Sequence, residues 1–278
     1  MNTMQPLVEQ MERIVRHEYK VPKDVKPFSL ALKMLDIIGI EDAHIRDDLV
    51  YMVMATWISE GIFSHEELRK ILQLLLNDQH LFYRIGENHS DTVFTRSFSI
   101  LLIPLIIEQH MKDSFLKDDE LDEIYYQVIR YCKEEQDVRG YVEGKGWAHT
   151  AAHTADAMSA MVLLPNITHE RMMHILDLIR DKVCIGSYQY IHQEDERMVA
   201  ALLNILDRNR VSLDAFNGYI LSYEPLDQKG IFPDDMYLMC NVKHFLRSLY
   251  FRLLARNGYK KITDSILQVL NAITPFHD

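Results

Sequence analysis

The chain has 278 residues, enough for one large domain or two small ones with a sizeable core. Hydrophobic residues make up 48% and charged residues 26%, the balance of a globular protein rather than a disordered chain. The formal charge of −11 lacks the basic footprint of a nucleic-acid binder and disfavours an anionic lipid surface, so neither nucleic acid nor membrane is expected as a partner.

Apolar residues recur at spacings of three and four almost without pause. They predict helices over 4–17, 28–38, 42–60, 65–77, 91–110 and 118–135, then 147–163, 169–184, 194–208, 212–223, 234–256 and 261–273. Start signals support several of these. Ser64 with Glu67 is a capping box, Ser90-Asp91 opens the helix through Phe94, Thr168 precedes Glu170, and Pro233-Asp234-Asp235 sets negative charge at a helix start. The longest apolar run, Ile100 to Ile107, is about half of the ~20 residues a membrane span needs, and is read as part of a buried helix. No window alternates as a strand between hairpin turns.

This pattern predicts an all-α protein over residues 1–278. The expected architecture is a single domain of antiparallel helix pairs in a HEAT-like α-α superhelix, with an α/α toroid as the alternative. Cys132, Cys184 and Cys240 are odd in number and widely spaced, which suits free thiols in a reducing cytoplasm. The N-terminal stretch has no secretory apolar region, so a cytoplasmic location is expected.

The segment GKGWAHTAAHTAD, residues 144–156, concentrates the chemistry. On a helix from 147, His149, His153 and Asp156 fall within about 60° of one another, with Trp147 on the opposite side. Between residues 146 and 169 the only Asp, Glu, Lys or Arg is Asp156. The helix therefore has no solvated charged face, and its His/Asp stripe is expected to meet an enclosed polar space or polar partners.

Two histidines at i and i+4 are a metal-ligand spacing, but the glutamate that follows the first histidine in zinc proteases is Thr150 here. Asp156 lies about 10 Å along the axis from His149 and is better placed to orient His153. A divalent metal on His149 and His153 would need a ligand from another helix, such as Glu194, Asp195 or Glu196. The alternatives are a metal-free pocket and a structural hydrogen-bond network.

Upstream, DVRGYVEGKG (137–146) reads as a polar loop with Arg139 and Lys145 available for an anion, or as a connection needing positive φ at Gly140, Gly144 or Gly146. The acids of EDER (194–197) are expected to be solvated and to complement the helix dipole. Asn241, His244 and Ser248 form a polar strip beside Arg247. Arg96 and Arg247, each in an apolar helix, are expected to find internal salt bridges.

These motifs, Arg139-Gly140-Tyr141, Lys145 to His149 and Ala152 to Asp156, resemble the bacterial family grouped as domain of unknown function 2785. TRSFS (95–99) and LRSLYF (246–251) resemble it as well. The resemblance implies a helical cytosolic protein, mostly of Gram-positive bacteria, without an established activity. The functional expectation is a central polar pocket for a small polar or anionic ligand or a peptide. His149, His153 and Asp156 form its floor, and Arg139, Lys145, Trp147, Glu196 and Arg247 its walls. The alternatives are a hydrolase with His153 as base and Asp156 as its orienting group, with or without a metal, and an interaction scaffold.

Overall fold

The computed structural model describes residues 4–274. It is all-α, with twelve α-helices, one π-helical segment and one two-stranded hairpin among the described residues. The chain divides into two compact units, one up to Ala157 and one from Met158, and the boundary falls inside the helix Thr150–Leu163.

The first unit contains α1 (Met4–Arg16), α2 (Pro27–Leu35), a π-helical segment (His44–Tyr51) continuing into α3 (Met52–Ser59), α4 (His65–Leu75), α5 (Thr92–Lys112) and α6 (Asp118–Glu134). The Ser64–Glu67 capping box forms as expected: Ser64 Oγ accepts from Glu67 N, and the Glu67 carboxylate accepts from Ser64 N. Around α5 pack α3 and α4. Val93, Phe94, Phe98 and Ile100 to Ile107 supply its buried surface, Leu101 and Leu105 excepted. At 21 residues α5 has the length and hydropathy of a membrane span, more than its eight-residue apolar run suggests, and 67% of that window is buried in the protein. Trp57 is fully enclosed and donates its indole N–H to Tyr19 O at 2.7 Å, so a large apolar body is buried without leaving a donor unpaired.

After α6 the chain makes a hairpin that periodicity alone does not predict. Strand β1 (Tyr141–Val142) pairs antiparallel with β2 (Gly146–Trp147). Its strands are two residues long, too short to show alternation. Helix α7 (Thr150–Leu163) follows. The second unit holds α8 (His169–Val183), α9 (Glu194–Asp207), α10 (Leu213–Leu221), α11 (Asp234–Leu254) and α12 (Lys260–Ala272). Helix α11 packs against α8, α9 and α12, burying Leu238, Val242, Phe245, Leu249 and Leu253 as its apolar stripe predicts. Thr168 caps α8 by accepting from Arg171 N.

Candidate functional site

The segment from Glu135 to Trp147 is held by four cations that sequence reasoning placed partly as ligand-binding groups. Arg96 is fully buried on α5 and forms a two-point pair with Glu135, Nε to Oε2 at 2.6 Å and Nη2 to Oε1 at 2.9 Å. Its remaining N–H groups donate to the carbonyls of Tyr83, Arg84 and Glu87 and to Thr92 Oγ1. The expectation that this arginine meets an internal anion is met. A buried ion pair offsets its desolvation only when every donor is used, and here they are.

Glu135 Oε1 also accepts from Asp137 N at 2.9 Å, and the buried Asp137 carboxylate takes Arg139 Nε at 2.8 Å and Nη2 at 2.6 Å. Arg139 donates further to Ser90 O. Thr150 Oγ1 donates to Asp137 O, which joins the first residue of α7 to this network. Arg139 is thus a strut whose charge Asp137 already balances.

The hairpin is fixed in the same way. Arg46, fully buried in the π-helical segment, donates from Nη2 to Lys145 O at 2.6 Å and from Nη1 to Ile40 O at 2.8 Å. Its guanidinium lies over the rings of Phe94 and Phe98, 4.1 and 4.9 Å from their centroids. Asp47 Oδ1 is 2.8 Å from Arg46 Nε in an ion contact of poor hydrogen-bond angle. Burial raises the Asp47 carboxyl pKa against the opposing pull of Arg46. Lys145 Nζ is bonded to Asp91 and to Glu41, at 2.5 and 2.9 Å. Of the three glycines singled out for positive φ, Gly144 (φ +73°) and Gly146 (φ +83°) adopt it and Gly140 does not.

The histidines are arranged differently from a continuous helix. Residues 147–149 lie outside α7, which begins at Thr150. His149 takes a left-handed conformation, φ +53°, and its N–H bonds back to Arg139 O and Gly140 O. Its carbonyl accepts His153 N at 3.0 Å, so it acts as the residue that launches the helix. Trp147 is therefore not on the far side of a helix from the histidines. Its ring stacks on His149 at 4.8 Å between centroids and 23° between planes, and the edge of Tyr141 meets it at 5.1 Å. The His149 and His153 rings are 5.6 Å apart. Trp147 and Tyr141 remain 39% and 48% exposed, while His153 is 8% exposed.

His153 is held through Nδ1. Its Nδ1 lies 2.8 Å from Ser97 Oγ and 3.3 Å from Ser97 O. Ser97 Oγ donates its own hydrogen to Ala148 O. Both Ser97 oxygens are then acceptors toward the ring, so Nδ1 carries a proton. Ser97 meets Nδ1, and Asp156 sits half-buried three residues along α7. Ser97 follows Arg96 directly, and a small polar residue inside an apolar helix is the signal that would have found it. Arg46 and Asp47 carry no such signal, because IEDAHIRDDL reads as a solvated charged run.

The remaining predicted residues belong to the second unit. Glu196 of α9 comes within 3.9 Å of Arg252, and Asp195 accepts Ser248 Oγ at 2.6 Å. Glu194 departs from the expected solvated first turn: it is fully buried, burial raises its carboxyl pKa, and it accepts from His192 N. Arg247 is exposed and makes no ion pair among the described residues, so the internal salt bridge expected for it is absent there. Among the described residues no three His, Cys, Asp or Glu side chains are grouped to hold a metal ion, which leaves the two-histidine pair without a third ligand.

The model of a family described as protein of unknown function (DUF2785) matches residues 81–251, more than half of the chain. The chain belongs to the DUF2785 family. The DUF2785 match takes in Arg96, Ser97, Glu135 to His153 and Arg247, and leaves outside it Arg46 and Asp47. Comparisons with curated proteins and with solved structures find no match.

Proposed function

We propose that this DUF2785 protein binds a small polar ligand on the ring stack of Trp147, His149 and His153. The observation that carries the reading is the stack itself: Trp147 lies on His149 with 4.8 Å between centroids, the His153 ring is 5.6 Å further on, and Ser97 holds that ring through Nδ1. Two features support it. The left-handed backbone of a non-glycine residue costs on the order of 1–2 kcal/mol and is held in place here by the Arg139 and Gly140 carbonyls. Trp147 and Tyr141 give an exposed aromatic wall of the kind that binding sites use.

Charge narrows the ligand. Arg46, Arg96, Arg139 and Lys145 are each matched by carboxylates within the network, and Lys145 has two. No cation in this set is left over for an anion. A neutral or cationic ligand with a hydrogen-bond donor fits better than the anion that Arg139 and Lys145 suggest in the sequence. We place the protein in the bacterial cytoplasm, in keeping with its three free cysteines.

A Trp57→Phe variant makes Trp147 the sole tryptophan reporter. Fluorescence screening of small alcohols, amides, amines and carboxylates is expected to find neutral or cationic binders that also shift the His153 Nε2 resonance and are lost in His153→Ala. Binding confined to carboxylates, or hits indifferent to His153→Ala, would sink the reading. A histidine ring held through Nδ1 is the arrangement of a general base, which is the observation behind a second reading as a hydrolase. Turnover of a bound ester or amide that disappears in His153→Ala would distinguish it from binding alone.

A further inference from the structure

The second unit contains a cavity of about 290 Å³, lined by Arg180 from the last turn of α8, Cys184, the tip of α10, the 225–229 loop and the start of α11. Its walls have visible causes. Gly186 brings its segment against α11 so closely that an added Cβ would lie 2.8 Å from the Asp234 carbonyl oxygen. The segment is then latched by the buried Asn241, which donates to Ile185 O and Tyr188 O and accepts from Tyr190 N. The 225–230 loop is tied to the start of α11 by Asp235, whose carboxylate takes the N–H groups of Lys229 and Gly230 at 2.8 and 2.7 Å.

Most polar groups around this space are occupied. Lys229 Nζ is paired with Asp227, and Ser222 Oγ donates to Tyr219 O. The Tyr223 hydroxyl is turned to that of Tyr219 at 2.6 Å. Burial pushes the Cys184 thiol up to about 11, so it stays neutral at ordinary pH and is no nucleophile there. Arg180 stands apart. Its Nε is enclosed and without a hydrogen-bond partner, and its guanidinium makes no ion pair among the described residues. Every other fully or half-buried arginine named above has carboxylate or carbonyl partners.

A last-turn arginine is favoured by the helix dipole, but that explains neither the enclosed Nε nor the cavity beside it. An enclosed Nε–H without a partner is costly, and a planar carboxylate is the anion that the guanidinium fork fits. The rim opposes a polyanion, because Asp234 and Asp235 line the same space. Leu226, Leu238 and the Tyr223 ring supply an apolar flank.

We infer that this cavity binds a small zwitterionic carboxylate, an amino acid or a close derivative, with its carboxylate on Arg180 and its ammonium toward Asp234. The test is calorimetry on the full chain with the proteinogenic amino acids, acetate and inorganic phosphate as probes. At least one amino acid is expected to bind more tightly than acetate or phosphate. Arg180→Gln should weaken it by roughly tenfold or more, and Asp234→Asn by a smaller factor. Arg180→Met removes the unpartnered charge, so it should raise the melting temperature of the ligand-free protein while abolishing binding. That rise shows that the variant folds. The inference is overturned if no amino acid binds up to millimolar concentration. Binding of phosphate or acetate as tight as that of any amino acid overturns it too, as does binding that survives Arg180→Met.

Discussion

Ser97 Oγ and His153 Nδ1 lie 2.8 Å apart, and the serine hydrogen is directed away from the ring to Ala148 O. This polarity is the reverse of a serine nucleophile activated by histidine, where the hydroxyl donates to the ring. Ser97 is also fully enclosed, so it positions the ring and meets no substrate. Ser97→Ala leaves the Ala148 carbonyl without this donor and removes the shorter of the two Ser97 contacts to Nδ1. The expected cost is about 1–3 kcal/mol in urea unfolding. The ¹⁵N spectrum of His153 should change from one Nδ1–H tautomer to a mixture. An unchanged tautomer in the variant would show that Ser97 does not set it.

Gly144 and Gly146 both have positive φ, but only one is crowded. A Cβ on Gly144 meets nothing within 4 Å, whereas one on Gly146 would lie 2.8 Å from Ala43 Cβ and 2.9 Å from Arg46 Nη2. Gly144→Ala should cost about 1–2 kcal/mol, the penalty of a left-handed alanine. Gly146→Ala adds overpacking against a buried arginine, about 1–3 kcal/mol more. Equal losses of stability for the two variants would mean that the hairpin does not rest on Arg46 as described.

Much of this architecture is legible in the sequence because helix periodicity and caps are local. Ser64 and Glu67 mark the start of α4, and both ends of α9 fall within a residue of the apolar pattern. The start of α7 is misread for a physical reason. Trp147 to His149 continue the small and apolar pattern of the helix, and only the left-handed turn at His149 separates hairpin from helix. The need for an anion near Arg96 is legible, since a lone arginine in an apolar helix must be compensated. Its identity is not, because Glu135 is 39 residues away and pairing is a property of packing. Arg139 and Lys145 look like ligand groups in a glycine-rich loop until their acids, Asp137, Asp91 and Glu41, are brought to them by the fold.

The Arg96–Glu135 pair predicts strongly non-additive mutations. Arg96→Met strips a nearly fully buried carboxylate of its two-point cation, and Glu135→Leu leaves a buried guanidinium with carbonyls and a hydroxyl but no carboxylate. Each single change should cost about 3–5 kcal/mol. The double change should cost clearly less than the two together, because no charge is then stranded. Additive losses in a double-mutant cycle would show that the pair is not coupled.

His110 on α5 gives a pH dependence whose sign follows from its bonds. Its Nδ1 accepts two backbone N–H groups, Phe115 at 3.1 Å and Leu116 at 3.0 Å, so it holds the turn between α5 and α6 only while unprotonated. Burial lowers its pKa below the ordinary 6.5, against a weaker opposing influence from the Glu120 carboxylate. His80, also lowered by burial, acts in the same direction. Above 6.5 both rings are neutral in the folded and the unfolded chain. As pH falls through 6.5 the unfolded chain takes up protons that the folded chain refuses. Stability is then lost until the depressed folded pKa is reached, at up to about 1.4 kcal/mol per pH unit for each histidine. His110→Asn keeps an acceptor near Nδ1 but does not titrate. Urea midpoints measured between pH 7.5 and 5.5, on the order of the interval over which a histidine changes charge, should fall less steeply for this variant. Because His80 still titrates, the slope should be reduced and not abolished. A variant whose slope matches the wild type would assign the acid sensitivity elsewhere.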